Sequence, residues 1–413
     1  MKLRGAFSIA VLILVSFLGT EAKAAPNAND FFSSTSVSKI TITISEDKVG
    51  PLAREPKTAV EARFAIENEN AGISFKNLPV KFNLKGTSTL RQNPSLINNR
   101  PSLRVKFKRD GVMKLGFLGT LQSLTLNSMT QDVSKIHEYS AYKLYNAINV
   151  PAPRVGYAQV TLVVGKRSYQ KGLFAVIEPY DDAFLKSRFN TPTKHLYEPC
   201  KHWTDVNRAG AAGGGEKCDT AVFEVKEGWK KNPNKDDLRA LIKVQKIRDN
   251  KSWWKAMDRY TDRDEFIRMW AVDNFISAWD SYSGVIVNNY YLRSDSMGVF
   301  TMMPTGTDET FAFNFRMDDP YIGYPLIYDD FQITTKGRGS MFTRCLRYKP
   351  CFDQYLDELK AAKETAKQID LVGQMKTIAA QIQAPSLWAV QSTQNWVGMK
   401  SKEVDALLRK YGR

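Results

Sequence analysis

Three oxygen-bearing side chains in one stretch of this sequence could act together on a phosphate group: Asp280, Asn289 and Asp308. One carboxylate can take the proton of an attacking hydroxyl, while a carboxamide oxygen and a second carboxylate offer the hard donors that magnesium prefers. Magnesium usually keeps waters and phosphate oxygens in its remaining positions, so a small protein donor set is enough. Asp280 ends a helical pattern over residues 264–279, where the helix dipole disfavours an acid by roughly 0.3–1 kcal/mol unless it has a partner or a task. Asn289 and Asp308 fall at adjacent ends of a predicted hairpin whose strands centre on Tyr290 and Phe300, with a turn over residues 295–298. The same residues also fit a solvated loop acid and a hairpin whose polar ends cap their turns.

Other elements must position these groups. Residues 39–45, 80–84 and 103–107 alternate apolar and polar and read as half-buried strands, with 121–126 as another candidate. Residues 134–147 change to a helical period, which Pro151 and Pro153 stop. Residues 155–164 and 172–177, rich in Val, Tyr and Phe, predict a strand pair about the turn Gly165-Lys166-Arg167. From residue 181 helical patterns dominate, over 236–260, 264–279 and 352–382. The reading is a sheet-rich lobe over 39–177, then a larger helical part over 178–413 that ends in a helical extension.

The chain opens with a basic start at Lys2 and Arg4, an apolar run over residues 10–18, and the small-residue site Ala22-Lys23-Ala24, which together read as a cleaved signal peptide over 1–24. The apolar run is too short to span a hydrocarbon core of about 30 Å, so no membrane anchor is expected after cleavage. A flexible tail is expected over 25–38, and a secreted, periplasmic or cell-surface location follows. Cys200 and Cys218 bracket a glycine-rich loop and Cys345 and Cys351 a basic one; pairing of neighbours is the simplest of three connectivities and predicts two local disulfides. No pair has C-x-x-C spacing, which argues against zinc. The formal net charge of +16 favours polyanionic partners, including an anionic envelope surface. The basic residues are dispersed without interleaved aromatics, so no nucleic-acid partner is expected. No G-x-S-x-G elbow appears and only 3 histidines are present, which counts against a serine hydrolase.

Several segments occur in the order expected of one family. They are Lys85-Gly86-Thr87-Ser88-Thr89-Leu90-Arg91, Arg100-Pro101-Ser102-Leu103-Arg104-Val105-Lys106-Phe107, Leu124-Thr125-Leu126-Asn127-Ser128-Met129 with the helix after it, Val150-Pro151-Ala152-Pro153-Arg154, Glu178-Pro179-Tyr180-Asp181-Asp182, and Trp279-Asp280 through Asp308. Over most of residues 80–315 the chain resembles the spore-coat protein H (CotH) kinases. The resemblance implies an α+β, two-lobed protein-kinase-like fold, with one helix in the small lobe. It implies that Gly86, Thr87 and Ser88 form a turn covering phosphates, and that Lys106 reaches the nucleotide with Glu138 as its ion-pair partner. Lys85 and Arg104 are rivals for that lysine's place. Glu178 would open an inter-lobe hinge whose backbone binds adenine, Asp280 would be the catalytic acid residue, and Asn289 and Asp308 would hold magnesium. Thr305-Gly306 stand where many family members carry a Trp-Asp pair. The implied activity is transfer of a phosphoryl group from ATP, with magnesium, to Ser or Thr hydroxyls of an extracytoplasmic protein. The competing reading is a non-catalytic surface-binding module, or adhesin, on the same fold.

Overall fold

The computed structural model describes residues 28–33, 36–86, 90, 95–107, 121–201, 204–208, 210–284, 286–311 and 339–413. The expected signal peptide lies outside them. Part of the stretch expected to be a loose tail is ordered: α1 (Ala28–Ser33) buries Ala28, Phe31 and Phe32, because the two rings find apolar surface on the first sheet.

That sheet is a closed barrel. Its strands are β1 (Ser38–Ile44), β2 (Val60–Asn68), β3 (Ile73–Lys85), β4 (Ser102–Phe107), β5 (Ser123–Asn127), β6 (Val155–Val164) and β7 (Arg167–Ile177), in the order β1-β2-β3-β4-β5-β7-β6. A short helix, α2 (Val49–Arg54), lies between β1 and β2. Parallel pairing of β1 with β6, from Ser38 opposite Ala158 to Ile44 opposite Val164, closes the barrel, and the other neighbours are antiparallel. Alternate residues point inward: Ile40, Ile42, Phe64, Ile66, Val80, Phe82, Leu84, Val105 and Leu124 fill the interior. Each such side chain, fully buried, contributes about 1.5–3 kcal/mol of transfer free energy. The closing pair joins segments far apart in sequence, so the local patterns foretold strands but not closure.

α3 (His137–Ala147) follows β5 and is buried on most of its surface, including the polar residues His137 and Glu138. Beyond β7 come α4 (Asp182–Arg188), β8 (Thr193–Pro199), β9 (Phe223–Glu227), α5 (Asp236–Gln245), α6 (Asn250–Tyr260) and α7 (Arg263–Ile276). Next are β10 (Tyr290–Asp295) and β11 (Phe300–Pro304), then α8 (Ser340–Arg347), α9 (Lys349–Gln368), α10 (Leu371–Gln381) and α11 (Leu387–Lys410). The predicted hairpin β10-β11 is part of a four-stranded sheet ordered β11-β10-β8-β9. A second hydrophobic core joins this sheet and the helices to Val155, Tyr157, Ala175 and Ile177 of the barrel strands, which seats the barrel against the helical part.

Both local disulfides are present, Cys200 to Cys218 and Cys345 to Cys351. Among the described residues, no helix is long and apolar enough to cross a membrane.

Candidate active site

α7 brings Asp280 to the site through a tightly pinned exit. Asp262 caps its start by accepting from the Glu265 N–H at 3.2 Å, and Ser277 ends it in the left-handed conformation at φ 58°. Asp273, buried on the last turn, accepts the Ser281 and Ser283 hydroxyls at 2.7 and 2.8 Å and the Tyr145 hydroxyl of α3 at 2.5 Å. Burial pushes the Asp273 carboxyl up to about 6 despite these donors. Gly284 has no room for a side chain, since a Cβ there would lie 2.2 Å from the Trp279 carbonyl oxygen. The loop therefore folds back on itself, and the Asn289 N–H donates to the Asp280 carbonyl at 2.8 Å.

The side chains meet as well. Asn289 Nδ2 donates to Asp280 Oδ2 at 2.5 Å and to the Gly306 carbonyl at 3.2 Å. Gly306 is required twice over: its φ is 61°, and a Cβ would sit 2.6 Å from Asn289 Nδ2. Asn289 Oδ1 accepts from Asn288 Nδ2 at 2.8 Å. Two residues beyond Gly306, Asp308 lies close enough for its charge to act on Asp280. Burial, then the charges of Asp308 and Glu309, hold the Asp280 carboxyl well above the usual carboxylate range.

A third acid faces them from α3. Glu138 is raised strongly by burial and next by Asp308, against the opposing charge of Lys85 and a 2.8 Å hydrogen bond from Asn127 Nδ2. Asp308 is itself raised by burial, against a hydrogen bond from Asn127 and the charge of Lys85. Asn127 ends β5, where its Oδ1 accepts the Ser102 hydroxyl at 3.0 Å and the Met129 N–H at 3.0 Å. A buried carboxyl, Glu138, and two half-buried ones, Asp280 and Asp308, repel one another beside Lys85, a charge pattern that a divalent cation would relieve.

Asn289 Oδ1 and the Asp308 carboxylate are hard oxygen donors of the kind magnesium takes. Among the described residues, no group of three or more His, Cys, Asp or Glu side chains is placed to hold a metal. Asn289 and Asp308 would then supply only part of a magnesium shell, which phosphate oxygens and waters would complete.

A family model described as CotH kinase protein matches residues 82–408. The chain belongs to the CotH kinase family. Among solved structures, this CotH protein is similar to the proinflammatory kinase CtkA of Helicobacter pylori, at 8% identity and a TM-score of 0.33, over 75% of this chain and 88% of that one. It is also similar to the HipA, HipB and operator DNA complex of a Shewanella oneidensis toxin–antitoxin system, at 12% identity and a TM-score of 0.32, over 69% of this chain and 57% of that one. No curated protein matches.

The CotH chain thus brings Asp280, Asn289, Asp308 and Glu138 together, but Lys106 stands apart from them. The register places Lys106 opposite Lys81 and Lys85 opposite Ser102, so four residues of β4, about 13 Å at the usual rise, separate the two lysine levels. Lys106 and Arg104, both exposed, instead act on Glu227 of β9. Among the described residues no ion pair joins Lys106 to Glu138, and Lys85 is a cation whose charge acts on Glu138.

Glu178 opens the segment expected to bind adenine through its backbone. It is buried between Arg154, bound through Nε at 2.9 Å and Nη2 at 2.5 Å, and Arg188 Nη2 at 3.0 Å, while its N–H donates to the Arg154 carbonyl. Neither its side chain nor its amide is open to a base. Gly86, at φ 116°, turns the chain out of β3 directly after Lys85. Thr87 and Ser88 lie outside the described residues. Sequence reasoning missed Asn127; its signal was a polar residue ending an apolar strand ahead of the α3 helix.

Proposed function

We propose that this CotH protein is a kinase that transfers a phosphoryl group from ATP to Ser or Thr hydroxyls of proteins, using magnesium, with the barrel as the small lobe of a two-lobed kinase-like layout. The observation that carries the reading is the Asn289 carboxamide: it is bonded to Asp280 and to the Gly306 carbonyl, two residues before Asp308, which supports one shared site for the three residues. Family membership supports the same chemistry.

Asp280 is assigned the acceptor's proton. As the hydroxyl oxygen forms its bond to the γ-phosphorus and the bond to the β-phosphate bridging oxygen breaks, the hydroxyl proton passes to the Asp280 carboxylate. Its raised affinity for a proton suits it to that role. Asn289 and Asp308 would hold magnesium, which when bound neutralises charge on the phosphates. Lys85 is assigned to the phosphates, with Glu138 and Asn127 behind it. Protein kinases commonly pair a strand lysine with a helix glutamate; here the strand residue bonded to the helix glutamate is Asn127, and the positive charge comes from β3.

Extracytoplasmic protein acceptors are part of the same proposal; the signal-peptide-like start of the sequence and the two disulfides, which suit an oxidising compartment, support it. The basic charge suits an anionic envelope surface as a further partner. The test is transfer of label from γ-labelled ATP to the protein itself and to a mixture of envelope proteins, with and without magnesium. Incorporation is expected only with magnesium, and Asp308→Ala should abolish it; label transfer by Asp308→Ala at the parental rate overturns the assignment.

A further inference from the structure

His137 opens α3, and nothing in the transfer chemistry above uses it. Its backbone N–H donates to Asp132 Oδ2 at 2.8 Å, and Asp132 Oδ1 accepts the Ser134 hydroxyl at 2.6 Å. The ring, buried like Asp132, reaches two other parts of the molecule. Nδ1 lies 2.9 Å from the backbone carbonyl oxygen of Asp308 and 3.5 Å from Asp132 Oδ1. A carbonyl oxygen can only accept, so Nδ1 carries a proton and donates it there. The Thr393 hydroxyl on α11 lies 3.0 Å from Nε2 and 2.9 Å from the Ala389 carbonyl oxygen, so its one proton serves one of these two at a time. The Phe311 ring stands 5.9 Å away between centroids, on a residue whose N–H is fixed to the Ile276 carbonyl at 2.7 Å.

One buried ring therefore joins the loop that carries Asp308 to the C-terminal helix. It holds the backbone of Asp308, not the carboxylate, so it acts on where that carboxylate stands. Magnesium demands near-ideal octahedral geometry at about 2.0–2.1 Å, and groups that orient its ligands change affinity by roughly 10–100-fold when lost. We propose that His137 is a positioning residue for Asp308 and that Thr393, through it, makes α11 part of the device that sets the site's affinity for a divalent cation. The proposal rests on the reading of Asp308 as a metal donor.

The experiment uses the full chain and Mn²⁺ as the probe, with free ion counted by electron paramagnetic resonance in the presence of a non-hydrolysable ATP analogue. Thr393→Val keeps the shape of the side chain and removes the hydroxyl; it should weaken Mn²⁺ binding about ten-fold. It should also speed amide exchange over residues 304–311 in metal-free protein. Thr393→Ser should restore parental values of both. His137→Asn, whose carboxamide can still donate to Asp308 but is too short for Thr393, should match Thr393→Val and serves if that variant does not fold. A merely structural role would lower the melting temperature and leave Mn²⁺ affinity and exchange unchanged, and that result overturns the proposal. If the parent binds Mn²⁺ and the variants weaken it as stated, but no protein transfers phosphate, the positioning role stands and the kinase reading falls. A parent that takes up no Mn²⁺ overturns both.

Discussion

A carboxylate held away from water beside a second carboxylate keeps a proton more readily than one in solvent, and Asp280 has both features. Its side chain is also fixed by Asn289, so its position does not depend on a bound nucleotide. Asp280→Asn preserves size and leaves the nucleotide's contacts in place. It should lower the rate of transfer about 10²–10⁴-fold, the usual loss for a general base, while nucleotide affinity by titration calorimetry stays within about two-fold. An affinity loss as large as the rate loss would assign Asp280 to binding instead. The rival lysines separate in the same way. Lys85 acts on Glu138 and Asp308, whereas Lys106 acts on Glu227. Lys85→Ala should weaken ATP binding about ten-fold or more, the loss of a charged hydrogen bond worth ~1.5–3 kcal/mol, and Lys106→Ala should change it little. The opposite ranking in a competition assay would return the role to Lys106. Asp280 was legible as an oxygen donor from its spacing to Asn289 and Asp308, whereas the lysines and Glu138 entered only through the family resemblance. Which lysine faces which acid was not legible, because that depends on the register between β3 and β4, which no residue type in the sequence fixes.

Strands and helices follow local patterns closely where one face is buried, and depart from them where polar groups are buried too. β8 holds His195, Glu198 and Pro199 and shows no clean alternation, yet it is a central strand between β10 and β9. Its polar residues are met inside. Asp237, on the first turn of α5, accepts from the Tyr197 hydroxyl at 2.7 Å, lies 2.8 Å from His195 Nδ1, and takes the Ser294 hydroxyl of β10. The four side chains are buried and bind three elements together, without access to a substrate. Burial raises the Asp237 carboxyl, but the hydrogen bonds from His195, Ser294 and Tyr197 win and bring it down to about 2. A folded-state value below the unfolded one of 3.8 means stability that is complete above that pH and is lost as pH falls toward 2. From that difference, Asp237→Asn should cost about 2 kcal/mol at neutral pH. In urea titrations the gap between parent and variant should close as pH falls from about 4 to about 2.5; a gap that stays constant would show that packing, not charge, carries the loss. The long helical patterns, by contrast, were plain from sequence: residues 236–260 and 352–382 are helical but for short breaks, each marking a corner between two helices.

At the scale of the whole molecule there are two large hydrophobic cores, one inside the barrel and one among the helices and the second sheet. Polar links cross between the parts: Glu178 with Arg154 and Arg188, the Tyr180 hydroxyl with the Pro304 carbonyl, and His137 with Asp308. The proposed nucleotide site draws on both sides, with Lys85 and Asn127 on barrel strands and Asp280, Asn289 and Asp308 beyond them. The strand-then-helix order was readable in the sequence; the closed barrel was not, because β1 and β6 pair across more than a hundred residues. A ligand bridging the two parts stabilises the folded chain by mass action, by about 2.7 kcal/mol at a concentration one hundred times its Kd. For a chain of this size that corresponds to a Tm rise of roughly 3 °C. The rise should need ATP and magnesium together, since neither the acid cluster nor Lys85 alone offers a complete site, and Asp308→Ala should remove it. A surface-binding module on the same fold would show no magnesium-dependent shift with nucleotide. Scanning calorimetry of the parent with each ligand singly and then together decides the matter, and equal melting temperatures in every condition would leave this CotH protein as a binding scaffold.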